Sequence, residues 1–185
     1  MKKRSVTLGL ITTILLSTAL VGCSNGNSDS KSSKSENTKT VKTTKKPAKY
    51  YFKNNKLIMT DVDITITKTK IIQVGETGNE YGEKPVIAFW YTTKNKSNKE
   101  INPNTAWIAA FTAIQDNNKN QVNELDMGIL PDDQFLDTQS ENIKKNGTVE
   151  SAVAYDLDDD TTPVKLTATK GIGGPKLGTM TYEIK

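Results

Sequence analysis

The segment VDITIT at residues 62–67 places an apolar side chain at every second position. Side chains of a β-strand point alternately to its two faces, so this period of two predicts a strand with one buried face and one face toward water. The same period recurs at residues 149–157, 164–169 and 180–184. These four segments therefore predict four half-buried strands.

Two further segments, VIAFWY at residues 86–91 and WIAAFTAI at residues 107–114, are mainly apolar at both odd-numbered and even-numbered positions. This pattern is typical of central strands that are covered on each face. The second segment also fits a short buried helix by its pattern alone. We favour a strand for both segments.

Turn-forming residues separate these segments, at residues 75–82, 95–98, 116–120, 146–147 and 171–175. Asn146 and Gly147 are the best candidate for a two-residue hairpin loop. Residues 130–138, with Pro131 near their start, have room for no more than a helical turn.

Seven or eight short strands separated by turns predict an all-β fold for residues 50–185, an antiparallel immunoglobulin-like β-sandwich. Antibody domains bury a Trp against a disulfide bond, but residues 50–185 contain no cysteine. We therefore expect Trp90 or Trp107 to pack against aliphatic side chains.

The N-terminus carries Lys2, Lys3 and Arg4, then a mainly apolar run over residues 6–21, and then LVGC at residues 20–23. This arrangement is typical of an export signal. A membrane-spanning helix needs about 20 predominantly apolar residues, whereas this run is short and interrupted by Thr and Ser. Spanning is therefore the weaker interpretation.

The LVGC stretch resembles the signal of bacterial lipoproteins. The resemblance implies a signal peptide at residues 1–22, with Leu20, Val21 and Gly22 recognised by the signal peptidase. It also implies that Cys23 becomes the lipid anchor, because its sulfur takes a diacylglyceryl group through a thioether. The alternative is an incidental thiol in an ordinary signal peptide.

Residues 23–49 follow as a stretch rich in Ser, Thr, Asn and Lys, with almost no large apolar side chains. Such a composition cannot offset the entropy of ordering, so it predicts a disordered tether. The formal net charge of the whole chain is +4. Residues 1–23 carry a charge of +3, residues 24–49 carry +5, and residues 50–185, with 15 Lys and 19 acidic residues, carry −4. An acidic folded part does not supply the basic stripe that nucleic acid requires, so we exclude nucleic-acid binding.

The chain contains no histidine. This removes the commonest general base and every His-ligated metal site. Once Cys23 is lipidated, no thiol remains for a nucleophile, and we expect neither an enzyme nor a cofactor. A cell-wall glycan hydrolase that uses paired carboxylates stays as a weaker alternative, because no spacing singles out such a pair.

Two acidic loops are candidate calcium sites, because Ca²⁺ prefers oxygen ligands. The first, with Asp116, Asn118 and Asn120, lacks the glycine and the glutamate of a helix-loop-helix calcium loop. We expect it to be a solvated hairpin turn. The second is the cluster Asp156, Asp158, Asp159 and Asp160. It is a weak metal candidate, and a solvated acidic turn is the alternative.

Two groups of aromatic residues fit either recognition or packing. The first is Trp90, Tyr91, Trp107 and Phe111, and its strand context favours the core. The second is Tyr50, Tyr51 and Phe52, which fits a docking strand or the first core strand.

Residues 74–103 (VGETGNEYGEKPVIAFWYTTKNKSNKEINP) and 147–168 (GTVESAVAYDLDDDTTPVKLTA) are similar to an uncharacterised family of immunoglobulin-like domains in lipoproteins of Gram-positive bacteria. The resemblance implies a secreted β-sandwich and carries over no functional residue.

These features together predict a lipid-anchored binding or interaction module on the outer face of the cytoplasmic membrane, without catalytic activity. The expected partners are the membrane, through the lipid anchor, and an envelope protein or a wall polymer. A calcium-binding or substrate-binding accessory lipoprotein is the alternative.

Overall fold

The computed structural model describes residues 49–184, which form nine strands, one α-helix and one 3-10 turn. The predicted signal peptide, Cys23 and the tether up to residue 48 lie outside the described residues. In chain order the elements are β1 (Tyr51–Lys53), β2 (Lys56–Ile58), β3 (Val62–Ile72), β4 (Val86–Asn95), α1 (Pro103–Ala110), β5 (Phe111–Gln115), β6 (Asn123–Glu124), the 3-10 turn (Asp133–Phe135), β7 (Thr148–Asp156), β8 (Val164–Thr169) and β9 (Lys176–Tyr182).

The strands pair into two antiparallel sheets, with the orders β1-β2-β3-β4-β7 and β6-β5-β8-β9. This confirms the predicted antiparallel β-sandwich. Taking β3 as strand A of an immunoglobulin domain, β4 and β7 of the first sheet correspond to strands B and E. The second sheet, β6-β5-β8-β9, then corresponds to strands C′, C, F and G. The hairpin β1-β2 extends the first sheet beyond A, which is one reason why the described residues contain more than the seven or eight strands expected.

The prediction of a strand over residues 107–114 is wrong in its first half. Residues Pro103–Ala110 form α1, and only Phe111–Gln115 form a strand. The cause lies upstream of the apolar run: Asn102 caps the helix by accepting a hydrogen bond from the backbone N–H of Thr105 at 2.8 Å, and Pro103 follows in the first helical turn.

The two-residue hairpin loop also lies elsewhere than predicted. Asn54 and Asn55, with φ of 52° and 59°, join β1 to β2, and Lys53 pairs with Lys56 across the loop. Left-handed backbone at both central residues is typical of a type I′ hairpin. Asn146 and Gly147 instead form a turn that leads into β7, whose partner β4 is distant in the sequence.

The core between the sheets is aromatic at its centre. Trp107 is fully buried, and its ring centroid lies 4.4 Å from those of Tyr91 and Phe111 and 5.6 Å from that of Phe89. We expected Trp90 or Trp107 to pack against aliphatic side chains. This holds for Trp90, which packs against an aliphatic cluster of Ile72, Val86, Ala88 and Ala154, whereas the neighbours of Trp107 include three aromatic rings. Phe52 is buried against Phe111, with 5.0 Å between ring centroids, so β1 is a core strand.

One hydrogen bond satisfies the polar atom that Trp107 takes into this core. Its Nε1 donates to the Tyr155 hydroxyl at 2.8 Å. Burial raises the pKa of Tyr155 to about 12. The hydroxyl therefore stays neutral at physiological pH and remains an acceptor for the indole.

Replacement of Tyr155 by Phe is expected to lower the free energy of unfolding by about 1–3 kcal/mol, because it leaves the Trp107 N–H buried without an acceptor. Urea unfolding followed by circular dichroism measures this change. The control is Tyr81→Phe, which removes the same atom from a side chain that is 89% exposed, and should change the free energy by less than about 0.5 kcal/mol. Equal stability of the two variants would contradict the assigned role.

Candidate functional site

A β-bulge in β3 creates the candidate site. Before the bulge, Ile66 pairs with Tyr91 and faces the core; after it, Lys68 pairs with Trp90 and Lys70 with Ala88. The extra residue, Thr67, shifts the alternation by one, so the even-numbered residues change from the inner to the outer face. Its hydroxyl donates to the carbonyl of Trp90 at 3.1 Å. The bulge thereby places two lysines beside a tryptophan on the outer surface of the first sheet.

Trp90 is held on this surface by two charged partners. The Lys68 Nζ lies 4.4 Å from the indole ring centroid, which is within the range of a cation–π contact. On the other side, the Trp90 Nε1 donates to Asp132 Oδ2 at 2.9 Å. Gln134 Nε2 donates to the same oxygen at 2.7 Å. The indole is half-buried, and its one N–H group is hydrogen-bonded to Asp132.

Two loops form the walls around Trp90. The loop 73–84 is held by Asn79, which is 2% exposed and whose Nδ2 donates to the carbonyls of Ile72 and Lys84 at 3.2 and 2.8 Å. The second loop contains Pro131 and Asp132. The two loops meet at Gly78, where φ is +91° and a Cβ would collide with the carbonyl of Pro131. This close approach requires a glycine.

The resulting Trp90 cleft has a volume of about 430 Å³. Its lining combines an indole, two ammonium groups, three carboxylates and hydroxyl and amide groups, from Lys68, Lys70, Thr77, Glu80, Trp90, Asp132, Asp133 and Gln134, among others. Ligand sites commonly combine apolar surface with a few placed polar groups. The cleft therefore fits a ligand with one apolar face and several hydroxyl or amide groups.

Asp132 is the electrostatic centre of this cleft. Partial burial opposes its ionisation, but hydrogen bonds from the Trp90 indole and from the Gln134 side chain and backbone favour it, as does the nearby charge of Lys68. Their combined effect holds the pKa of Asp132 below its usual range. A fixed negative charge thus lies at the edge of the indole.

The structure separates the first aromatic group that the sequence singled out. Tyr91, Trp107 and Phe111 are buried in the core, whereas Trp90 lies on the outer face. No local pattern in the sequence marks Lys68 or Asp132, because their proximity to Trp90 depends on the bulge and on a contact between residues that are 42 positions apart in the chain.

The acidic turn after β7 is organised by hydrogen bonds. Gln115 is fully buried: its Nε2 donates to the carbonyls of Asp159 and Thr162 at 2.9 and 2.7 Å, and its Oε1 accepts from the backbone N–H groups of Asp158 and Asp159 at 2.6 and 3.1 Å. Asn117 Nδ2 donates to carboxylates of both Asp158 and Asp159. The pKa of Asp159 lies well below its usual range, mainly because its carboxylate accepts a hydrogen bond from the backbone N–H of Thr162.

These contacts bring only part of the candidate calcium cluster together. Asp158 and Asp159 share Asn117, but no group of three or more Asp, Glu, His or Cys side chains between residues 49 and 184 is placed to hold a metal ion. Residues 116–120 lie in the loop 116–122, which joins β5 to β6 as the expected hairpin, and Asp116 pairs with Lys165 at 2.7 Å. Calcium binding at Asp156, Asp158, Asp159 or Asp160 stays a prediction.

The fold and its surface cleft thus define an immunoglobulin-like β-sandwich protein. Residues 27–170 match the family model described as Domain of unknown function (DUF5067), and the chain belongs to this family. The match covers most of the chain and includes every residue that lines the Trp90 cleft. A comparison with curated proteins gives no match.

Two solved structures are similar to this chain. A putative lipoprotein from Staphylococcus aureus is 21% identical, with a TM-score of 0.62, and the match covers 73% of this chain and 92% of that one. An uncharacterised β-sandwich protein from Clostridium difficile is 18% identical, with a TM-score of 0.44, and the match covers 70% of this chain and 89% of that one. At this level of identity the staphylococcal structure supports the fold.

Within residues 49–184, the structure contains no helix with the length and apolar character needed to cross a membrane.

Replacement of Gln115 by Leu is expected to lower the free energy of unfolding by about 2–4 kcal/mol, because four backbone groups lose their partner. Amide hydrogen exchange at Asp158 and Asp159 should accelerate at the same time. Urea unfolding and exchange followed by mass spectrometry measure both effects. Gln121→Leu, an exposed change in the neighbouring hairpin loop, is the control. Unchanged exchange in Gln115→Leu would contradict this role.

The indole N–H resonance of Trp90 is expected to titrate with a midpoint below 3.8, the ordinary pKa of an Asp side chain. Because folding lowers this pKa, the Asp132 contacts stabilise the fold above pH 3.8 and are lost as the pH falls through the lower, folded value. A pH series of NMR spectra measures the midpoint. Trp107, bonded to a neutral hydroxyl, is an internal control, and Asp132→Asn should abolish the titration. A midpoint above 3.8 would contradict the assignment.

Proposed function

We propose that this protein is a lipid-anchored, extracytoplasmic binding module without catalytic activity of its own, and that the Trp90 cleft is its ligand surface. The observation that carries the proposal is the placement of Trp90 on the outer face of the sheet, between Lys68 and Asp132, in a cleft between two loops. A large aromatic side chain that is left outside an aromatic core is typical of a binding hot spot.

The anchor is supported by the LVGC segment that ends at Cys23, and by the similarity of the fold to that of the putative lipoprotein from Staphylococcus aureus. A diacylglyceryl group on Cys23 supplies two acyl chains, which is the number that stable attachment requires. The folded residues would then lie outside the cytoplasmic membrane on its outer face.

The absence of catalysis is supported by the chemistry that the chain lacks. With no histidine, and with its one cysteine used for the anchor, the sequence offers neither the usual base nor a thiol nucleophile. Lys68 and Asp132 are both engaged with the Trp90 indole. Such contacts hold an aromatic platform in place.

The chemistry of the cleft favours a ligand from the cell envelope. An indole face binds the apolar face of a sugar ring or an aliphatic side chain, while Gln134, Asp132 and Lys70 offer donors and acceptors to hydroxyl and amide groups. Wall glycan and a loop of an envelope protein both have these groups. The tethered position would present the cleft to either.

Replacement of Trp90 by Ala is expected to weaken ligand binding about 30-fold, because truncation of a hot-spot Trp typically costs about 2 kcal/mol. Binding is measured with the tagged mature protein in two arms: capture of partners from solubilised membranes, and co-sedimentation with purified cell walls. Val122→Ala truncates a side chain that is 78% exposed in the loop between β5 and β6, outside the cleft, and is the control.

Thermal unfolding of each variant shows whether the fold is kept. A second variant, Lys68→Gln, changes the cation over the indole on an exposed side chain and should weaken the same binding. Equal binding by the native chain and by Trp90→Ala would overturn the proposed ligand surface. Mass spectrometry of the mature protein tests the anchor separately, because an unmodified Cys23 thiol would overturn it.

A further inference from the structure

We propose that one end of the sandwich is a membrane-contact surface that lies on anionic lipid headgroups, with Ile172 at its tip. We call it the tether end, and define it by Lys49, the loop 170–175 between β8 and β9, and the loop 96–101 after β4. The inference rests on the lipid anchor of the proposed function, and adds which part of the domain meets the membrane.

The described chain enters the fold at this end. The Tyr50 hydroxyl accepts a hydrogen bond from the Thr60 hydroxyl at 2.8 Å, and the Lys170 Nζ lies 4.6 Å from the Tyr50 ring centroid. The loops 170–175 and 96–101 are neighbours, because Gly171, Val62 and Ile101 line one small surface pocket. The first described residues therefore lie beside the loop that contains Ile172.

Ile172 lies at the tip of a turn that leaves its side chain exposed to solvent. It lies between Gly171 and Gly173, whose φ values of +78° and +67° are favourable for glycine, and it is 87% exposed. Ile172 lines a groove of about 390 Å³ together with Ile108, which lies on α1 and is 48% exposed. Glu124 is the one charged residue in the lining of this groove. Two exposed branched aliphatic side chains along one groove form an apolar patch that the fold itself does not cover.

Basic residues are frequent at this end of the fold. Five lysines at or beside the tether end take part in no ion pair among residues 49–184: Lys49, Lys170 and Lys176, and Lys144 and Lys145, which line a surface pocket together with the loop 96–101. Two of the acidic residues at this end are neutralised, because Asp61 pairs with Lys99 and Asp63 with Lys96. Glu100 also lies here, and Glu141 lies in the adjacent segment, whose Ile143 N–H donates to the Ile101 carbonyl at 2.8 Å; neither forms an ion pair among residues 49–184. The five lysines outnumber these two acidic residues, so the unpaired charge of the tether end is positive.

The opposite end carries negative charge. Antiparallel pairing of Gln115 with Val164 places the turn 158–160, with its three carboxylates, at the far ends of β5 and β8 from the loop 170–175. Asp116 also lies at this end but is paired with Lys165. An anionic surface attracts one end of such a domain and repels the other. Although the folded residues have a negative net charge, their positive and negative charges lie at opposite ends of the domain. This separation favours one orientation of the domain on an anionic surface.

The anchor explains why a weak surface is sufficient. The 25 residues 24–48 span at most about 90 Å when fully extended, which leaves the orientation of the domain free but keeps it near the membrane. A tethered partner binds at a high effective concentration, so each contact needs little intrinsic affinity. A wall polymer is also anionic, but it has no apolar layer into which Ile172 can insert. The exposed aliphatic tip therefore favours lipid.

The test uses the lipidated full-length mature protein with the substitution Ile172→Cys, labelled with an environment-sensitive fluorophore. Acylation of Cys23 leaves the introduced thiol as the only free one. The matched control is Val122→Cys, at an aliphatic residue that is 78% exposed in the loop between β5 and β6 at the acidic end. Both proteins are reconstituted into phosphatidylcholine vesicles, with and without phosphatidylglycerol.

We expect the probe at position 172 to shift to the blue and brighten only with phosphatidylglycerol, and to lose this response at high salt. The probe at position 122 should not respond. Adding Lys170→Gln and Lys176→Gln should lower the ratio of membrane-contacting to free domain about fivefold per lysine. Lys119→Gln, at the acidic end, should have no such effect.

Equal responses at positions 172 and 122, or none at position 172, in protein that floats with the vesicles would overturn the membrane-contact surface and leave the anchor intact. The same shift with soluble polyglycerol phosphate in the absence of vesicles would assign the surface to a polymer, and would also overturn it. If the lipidated preparation failed to float with the vesicles, the anchor itself would be overturned and this inference with it.

Discussion

The arrangement of both sheets depends on the packing of Trp107 between them. In an immunoglobulin domain a disulfide commonly joins the two sheets, but this fold has no cysteine with which to form one. Here α1 carries Trp107 into the interior, where Phe89, Tyr91 and Phe111 surround its ring and Tyr155 accepts its N–H. Aromatic packing is directional, so the cluster specifies the position of each sheet as well as stabilising it.

Two regions of the surface, the Trp90 cleft and the tether end, differ in their chemical character. The Trp90 cleft combines an aromatic floor with fixed charges of both signs, and its walls are two loops locked together at Gly78 and Pro131. The tether end combines exposed aliphatic side chains with unpaired lysines. A cleft with mixed charge is suited to a specific ligand, whereas a basic surface with an apolar tip is suited to a lipid layer. In the functions proposed above, the Trp90 cleft would serve recognition and the tether end would serve orientation.

The structure also gives the acidic turn a role in stability. Asp158 and Asp159 accept hydrogen bonds from backbone and amide groups, and Gln115 holds the turn from below. Local donors thus offset part of the repulsion between neighbouring carboxylates. A buried glutamine with all its hydrogen bonds directed at one loop is a structural device that sequence composition does not reveal.

The sequence by itself determined the fold class, because side chains alternate with a period of two in any strand that has one buried face. The patterns at residues 62–67 and 164–169 therefore located their strands correctly. The same local rule failed at residues 107–110, where a helix cap at Asn102 and Pro103 outweighs an apolar pattern that fits either structure.

Only the tertiary structure decided which surface residues act together. Lys68 and Trp90 become neighbours because one extra residue, Thr67, reverses the side-chain alternation of β3. Asp132 reaches the same indole from a loop 42 residues further along the chain. Such pairings depend on strand register and loop closure, which no short segment of sequence encodes, whereas alternation within a strand is set by the backbone geometry of each residue in turn.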